Sequence, residues 1–350
     1  MRSHVRMGIQ LNYAGGFTQA AEHVAELERI GVDAVAVAEA YSFDAISQLG
    51  YLAAKTSRVE LLTGVLPLYT RTPTLLAMTA AGMDYVSNGR FALGLGTSGP
   101  QVVEGFHGVP FDAPLGRTRE VVDICRAVWR RERLNYQGKH YQLPLPADRG
   151  TGLGKALRLI NHPVRQNIPI SIAALGPKNV ELTAEIANGW QPAFFYPERA
   201  GDIWGESLRS GAAKRDPSLG PLDVIVGAPV AIGDDVEDRI DWVKPMLALY
   251  IGGMGAKGRN FYHNLATAYG YGKAAQHIQE LYLTGHKTEA ADAVPDELVR
   301  HTSLIGPRSL VAERLAAYRD AGVSTLLAVP LATGPAETLR FVEQLRALLP

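Results

Sequence analysis

Short apolar runs alternate with longer amphipathic stretches along almost the whole chain. The runs lack the two-residue alternation of half-exposed strands, which is typical of parallel strands buried on both faces. The amphipathic stretches between them predict helices. The predicted strands are Met7–Leu11, Ala34–Ala38, Val59–Val65, Phe91–Leu95, Ile170–Ala174, Gly189–Phe195, Val224–Ile232 and Ser324–Val329.

Helices are predicted after most of these strands, and two longer segments interrupt the rhythm. One segment, around 132–168, contains a small hairpin from Asn135 to Leu143; the other, around 235–300, is helical in pattern. Eight strands favour a single closed (β/α)8 TIM-type barrel over residues 1–350, because open doubly wound sheets usually have fewer strands. The predicted helices are Thr18–Ile30, Asp44–Lys55, Thr74–Val86, Arg117–Arg131, Pro177–Ala187, Arg308–Ala321 and Glu337–Leu348.

The composition narrows the partners of this barrel to small molecules. Lys+Arg and Asp+Glu both number 35, so no global field attracts nucleic acid or anionic lipid. Because Cys125 is the only cysteine, the chain cannot form an internal disulfide. No pair of histidines has the spacing of metal ligands. The first ten residues lack the apolar run of a secretion signal, and no stretch approaches the roughly 18 apolar residues of a membrane span. We therefore expect a cytoplasmic protein without a metal.

In such barrels the chemistry lies just after the strands. There the run from Gly94 to Gly99 formally matches the dinucleotide fingerprint, but a helix-like stretch follows it where a second strand and an acidic residue should stand. We interpret Gly96, Thr97, Ser98 and Gly99 as a tight turn that lets a ring or a phosphate approach the backbone.

Three other strand ends carry candidate residues, each with a structural alternative. Gly176, Pro177 and Lys178 suit an anion site at a helix start, or a plain helix start. Gly64 can let the backbone lie flat against a planar ring, or form a β-bulge. Glu39, expected to be buried beside Tyr41, suits proton transfer, or accepts backbone hydrogen bonds as a structural carboxylate.

Taken together, these motifs resemble the bacterial luciferase-like monooxygenase superfamily over nearly the whole chain. Within it the sequence is most similar to the oxidoreductases that use the deazaflavin coenzyme F420, especially at Gly99–Gln101 and Gly252–Gly255. The segments that carry the resemblance are Val37–Glu39, Gly64–Pro67, Asn88–Phe91, Leu93–Thr97, Ala174–Pro177 and Gly189–Trp190.

The resemblance implies a homodimer that holds F420 in the barrel mouth, with a non-prolyl cis peptide between Gly64 and Val65 behind the ring. Glu39 and Tyr41 are the catalytic candidates. The cofactor-binding candidates are Asn12, Glu39, Gly64, Val65, Gly96, Thr97, Ser98, Gly99, Ala174, Leu175, Gly176, Pro177 and Lys178.

The implied reaction is hydride transfer between the deazaflavin C5 and a small organic substrate, either a carbonyl or alcohol or an activated double bond. Sugar-phosphate dehydrogenases of the same branch have an Asp-His pair where this chain has Glu39 and Ala40, which argues for another substrate. Two alternatives remain open at this point: an FMN-dependent monooxygenase of the same fold, and a non-catalytic protein that binds flavin or deazaflavin.

Overall fold

A computed structural model of the chain describes residues 5–12, 15–255 and 257–349. The strands are β1 (Arg6–Leu11), β2 (Ala34–Val37), β3 (Glu60–Thr63), β4 (Leu66–Pro67), β5 (Phe91–Gly96), β6 (Tyr136–Gln137), β7 (Gln142–Leu143), β8 (Ile170–Ala173), β9 (Gly189–Gln191), β10 (Asp223–Ile232), β11 (Leu304–Gly306) and β12 (Thr325–Pro330). The α-helices are α1 (Phe17–Ile30), α2 (Ala45–Lys55), α3 (Pro73–Val86), α4 (Pro100–Val103), α5 (Pro114–Trp129), α6 (Pro177–Ile186), α7 (Pro197–Ala212), α8 (Arg239–Ala248), α9 (Phe261–Ala266), α10 (Gly272–Leu283), α11 (Lys287–Asp292), α12 (Asp296–His301), α13 (Arg308–Asp320) and α14 (Pro335–Arg346).

Eight parallel strands close into a barrel in the order β1, β2, β3, β5, β8, β9, β10 and β12, and β12 pairs back onto β1. Each predicted strand corresponds to one of these eight, so the predicted (β/α)8 fold is confirmed. The short strand β11 pairs with the last residues of β10 and lies outside the closed ring. The sequence prediction missed β11 because the strand has only three residues, too few to show a hydrophobic pattern.

Several predicted boundaries were wrong by a few residues. Strand β3 ends at Thr63 rather than Val65; the peptide between Gly64 and Val65 is cis, and the next two residues form β4, which pairs with β5. Strand β9 ends at Gln191 rather than Phe195. Helix α7 had no counterpart in the prediction.

The inside of the barrel is filled by small and aliphatic side chains, whereas the largest buried rings lie between the strands and the helices. A Cβ atom at Gly8 would come within 2.5 Å of Leu327 Cδ2, so the interior is closely packed at this level. No helix in the described part of the chain is long and apolar enough to cross a membrane. The interior cluster consists of Ala34, Ala36, Leu62, Ala92, Ile225 and Leu327.

The first interrupting segment is fixed to the barrel by two buried carboxylates. Glu120 on α5 accepts hydrogen bonds from the backbone N–H groups of residues 139–141, which form the turn of the predicted β6–β7 hairpin. Asp84 on α3 is fully buried and pairs with Arg165, whose guanidinium also donates to the carbonyl of Phe91. Arg165, 81 residues beyond Asp84, thereby attaches the end of this segment to α3 and β5.

The second segment folds into helices α8 to α12, as its pattern predicted, with π-helical turns at Leu249–Gly253 and Thr267–Tyr271. Buried Asn260 joins its parts: the side-chain amide donates to the carbonyls of Tyr250 and Ile251 and accepts from the N–H groups of Tyr262 and His263. This segment lies over the start of α6.

Candidate active site

The carboxyl ends of β3, β5 and β8 meet at a surface made of small residues. A Cβ atom at Gly96 would lie 2.6 Å from Val65 Cγ2 and 3.6 Å from the Cβ of Ala173. One at Gly64 would lie 3.4 Å from the Cβ of Ala36. We call Gly64, Val65, Gly96 and Ala173 the floor of the barrel mouth. Because little side chain rises from it, a flat group can lie close to its backbone.

Hydrogen bonds beneath the floor fix its shape. The Thr63 hydroxyl donates to the carbonyl of Gly94 at 2.8 Å and accepts from the N–H of Gly94 at 2.7 Å. The Gln191 amide donates to the Ser171 hydroxyl at 2.7 Å and to the Thr63 carbonyl at 3.3 Å. These contacts join β3, β5, β8 and β9 immediately below the mouth. Sequence reasoning missed Gln191, although a polar residue ending a buried strand was a usable signal.

Glu39 follows β2 and is held in a bidentate ion pair. Arg71 Nη1 and Nη2 donate to the two carboxylate oxygens at 2.6 and 2.9 Å, and the N–H of Ala45 donates to Oε2 at 3.0 Å. Arg71 also donates to Asp44 at 2.7 Å. The hydrogen bonds with Glu39 outweigh burial and raise the pKa of Arg71 above its ordinary value. Both oxygens of the Glu39 carboxylate are thus engaged, and the hydrogen bond from the Ala45 N–H is of the kind expected for the structural alternative.

The backbone of Glu39 also reaches the floor, since its N–H donates to the carbonyl of Val65 at 3.1 Å. Tyr41 lies in the same loop, and its ring centroid is 6.2 Å from that of Phe106, in the loop after β5. Thr97 and Ser98 begin that second loop, with Ser98 in the left-handed conformation at φ 56°. Asn12 directly follows β1 at the same edge of the barrel.

The start of α6, which follows β8, lies at the same end of the barrel. Ala174 and Leu175 connect β8 to Gly176, which precedes the helix, and Pro177 occupies its first turn. Among the described residues no side chain caps this helix start, and its first turn contains no acidic residue. Pro177 has no N–H and the N–H of Asn179 donates to the carbonyl of Gly176, so the N–H of Lys178 and the positive end of the helix dipole are what favour an anion here. The Lys178 side chain is exposed at the same place.

Aromatic side chains cover this end of the site. Phe194, after β9, makes edge contacts with the rings of Tyr250 and Tyr262 at centroid distances of 5.3 and 5.8 Å. A Cβ atom at Gly176 would lie 3.4 Å from the ring of Phe261. The second interrupting segment therefore contacts the helix start that the sequence singled out as an anion site.

Comparisons with known proteins agree with this geometry. The luciferase-like monooxygenase family model matches residues 3–325. Rv3520c of Mycobacterium tuberculosis, whose name assigns it to the coenzyme F420-dependent oxidoreductases, is 43% identical over 345 residues, which cover 97% of this chain and 98% of that protein.

Two solved structures share the fold over 99% of this chain and 99% of their own chains. One is the coenzyme F420-dependent tetrahydromethanopterin reductase from Methanopyrus kandleri, with a TM-score of 0.81 at 22% identity. The other is an F420-dependent secondary alcohol dehydrogenase in complex with an F420-acetone adduct, with a TM-score of 0.77 at 14% identity.

Proposed function

This chain belongs to the luciferase-like monooxygenase family, and we propose that it is a coenzyme F420-dependent oxidoreductase acting on a small organic substrate. The 43% identity to Rv3520c over nearly both chains supports the choice of cofactor. The observation that carries the proposal is the combination, at one barrel mouth, of a floor without large side chains and an uncapped helix start beside Lys178.

The residues present fit the coenzyme. When bound, reduced F420 supplies a hydride from C5, which turns a carbonyl into an alcohol once the oxygen has gained a proton. The floor accepts a planar ring, because a Cβ at Gly96 would already fill the space beside Val65. The start of α6 with Lys178 suits the phosphate of the cofactor tail. Thr97, Ser98 and Gly99 border the floor at the end of β5.

Two residues of the loop after β2 have separate roles in this proposal. Tyr41 is exposed at the mouth, and its hydroxyl is the proton donor to the substrate oxygen. Glu39 positions the loop, because its carboxylate binds Arg71 and the start of α2 while its N–H holds Val65. Glu39 is therefore a positioning residue in this mechanism.

Fluorescence titration of the purified protein with F420 and with FMN tests the proposal. We expect F420 to bind and Lys178→Ala to weaken it by roughly tenfold, the size of a lost charge-assisted hydrogen bond of about 1.5 kcal/mol. Lys155→Ala, an exposed lysine of the first interrupting segment, is the matched control. Preference for FMN would replace the proposal by an FMN-dependent monooxygenase, and binding of neither cofactor would refute hydride transfer.

We also propose that the protein is a homodimer. Helix α3 buries Leu76, Ala77 and Ala80 against the barrel, yet Leu75 and Met78 remain exposed on its other side. A helix that is apolar on both sides is usually buried on both sides. Light scattering during size exclusion should give twice the chain mass, and Met78→Glu should give the monomer. A monomeric wild-type protein would refute this proposal.

A further inference from the structure

Three exposed aromatic side chains stand beside the floor on the side of β2 and β5. Tyr41, Phe43 and Phe106 are 56%, 84% and 66% exposed. They come from the two loops that leave these strands, and the rings of Tyr41 and Phe106 are in contact. We call these three residues the aromatic lip. Two exposed rings in contact, with a third exposed ring two residues along the chain from one of them, mark a binding site more often than single exposed residues do.

The charge around the lip argues against an anionic substrate. Residues 38–44 and 97–113, which form the two loops, contain four carboxylates and no Lys or Arg. Arg71 and Arg117 reach these loops, but Arg71 is paired with Glu39 and Asp44, and Arg117 with Asp112. Four carboxylates against these two arginines leave a net negative charge around the lip, which repels an anionic substrate.

The backbone connects the lip to the floor at two points. The loop that carries Tyr41 and Phe43 begins at Glu39, whose N–H binds the Val65 carbonyl. The segment that carries Phe106 begins directly after Gly96. Both segments leave the barrel at the floor, so a molecule that rests on the lip can reach the place where the proposed function puts the reactive ring.

We propose that the aromatic lip binds the apolar ring system of an uncharged substrate, so that the enzyme acts on cyclic ketones or the corresponding alcohols rather than on phosphorylated sugars. This rests on the proposed function, which supplies the hydride. The carbonyl carbon gains the hydride, the oxygen gains a proton from Tyr41, and the coenzyme is oxidised. Phe43 and Phe106 remove the rest of the substrate ring from water.

Calorimetric titration of the F420-loaded protein tests this with acetone, cyclohexanone, 2-decalone and glucose 6-phosphate. Each buried methylene is worth about fourfold in affinity, so we expect binding to tighten at least about tenfold from cyclohexanone to 2-decalone. Glucose 6-phosphate should not bind. Phe43→Ser with Phe106→Ser should weaken 2-decalone binding on the order of tenfold and leave F420 binding unchanged, because both rings are largely exposed.

Ile160→Ser is the control, since Ile160 is as exposed as Phe43 but lies beside Arg131, just after the end of α5 and thus at the opposite end of the barrel. Affinity that does not rise with ring size, tighter binding of glucose 6-phosphate, or an equal loss in the control would overturn the lip proposal. Failure of the ketones to bind an F420-loaded protein would overturn it too. Failure of F420 itself to bind would instead refute the proposed function.

Discussion

Replacing Gly96 by alanine tests the floor most directly. The new Cβ would lie 2.6 Å from Val65 Cγ2, whereas carbon atoms in contact are normally about 3.5–4.0 Å apart. Val65 must therefore move by about 1 Å, and its branched side chain has few alternative rotamers. Overpacking of this kind costs about 1–3 kcal/mol. If Val65 relieves this strain by moving into the space of the cofactor ring, binding of F420 must push it back and restore the strain. The binding free energy then loses the same amount, about 1–3 kcal/mol, and the affinity for F420 falls by about 5- to 150-fold.

Gly201→Ala is the matched control. Gly201 lies on α7, outside the proposed cofactor site, and a Cβ there would meet no described atom within 4 Å. Fluorescence titration gives the affinity of each variant for F420, and urea unfolding gives its stability. Wild-type affinity in Gly96→Ala would refute the reasoning, and so would an equal loss in Gly201→Ala. A loss of stability without loss of affinity would show that the floor does not seat the cofactor.

Other parts of the structure give three further predictions. Arg165→Ala leaves buried Asp84 unpaired and should lower the free energy of unfolding in urea by about 3–5 kcal/mol; a change below about 1 kcal/mol would contradict this. Burial by itself would raise the pKa of Glu28, but backbone N–H donors in Ser57–Val59 lower it overall. Glu28→Gln should therefore lower the free energy of unfolding in urea by about 1–3 kcal/mol at pH 7. The difference from the wild type should shrink as the pH falls below about 4.3 and through the lowered pKa of Glu28 in the folded protein. A difference that does not change with pH would argue against a role for the carboxylate charge. Tyr41→Phe should lower kcat by about 10²- to 10⁴-fold in steady-state kinetics with unchanged F420 binding, and a loss below twofold would point to another proton donor.

The barrel strands could be predicted because each is a short run of residues buried on both faces. Helix α7 could not, since Gly201, Gly205 and Gly211 lower its local helix propensity. Tertiary contacts override that weakness: Trp204 is fully buried, and its indole N–H donates to the carbonyl of Leu175. A contact of this kind, between residues far apart in sequence, leaves no local pattern to read.

The same distinction separates the predictable and unpredictable parts of the site. Gly64 and Gly96 stand out locally, because a glycine at the end of a strand is itself a signal. The partner of Glu39 is Arg71, 32 residues away, and Gln191 reaches Thr63 across 128 residues. Without those partners the sequence shows that Glu39 carries a carboxylate at the mouth, but not that an ion pair occupies it.

The Thr63–Gly94 contact beneath the floor constrains how such a protein can change over generations. A Cβ at Gly94 would lie 1.8 Å from the carbonyl oxygen of Thr63, a backbone atom that no rotamer change can move aside. At Phe43, a few residues beyond a neighbouring strand, almost any side chain projects into solvent. Tolerance to mutation should therefore rise steeply from the base of the mouth to its rim, so that new specificities can arise at the rim while the underlying scaffold is inherited unaltered.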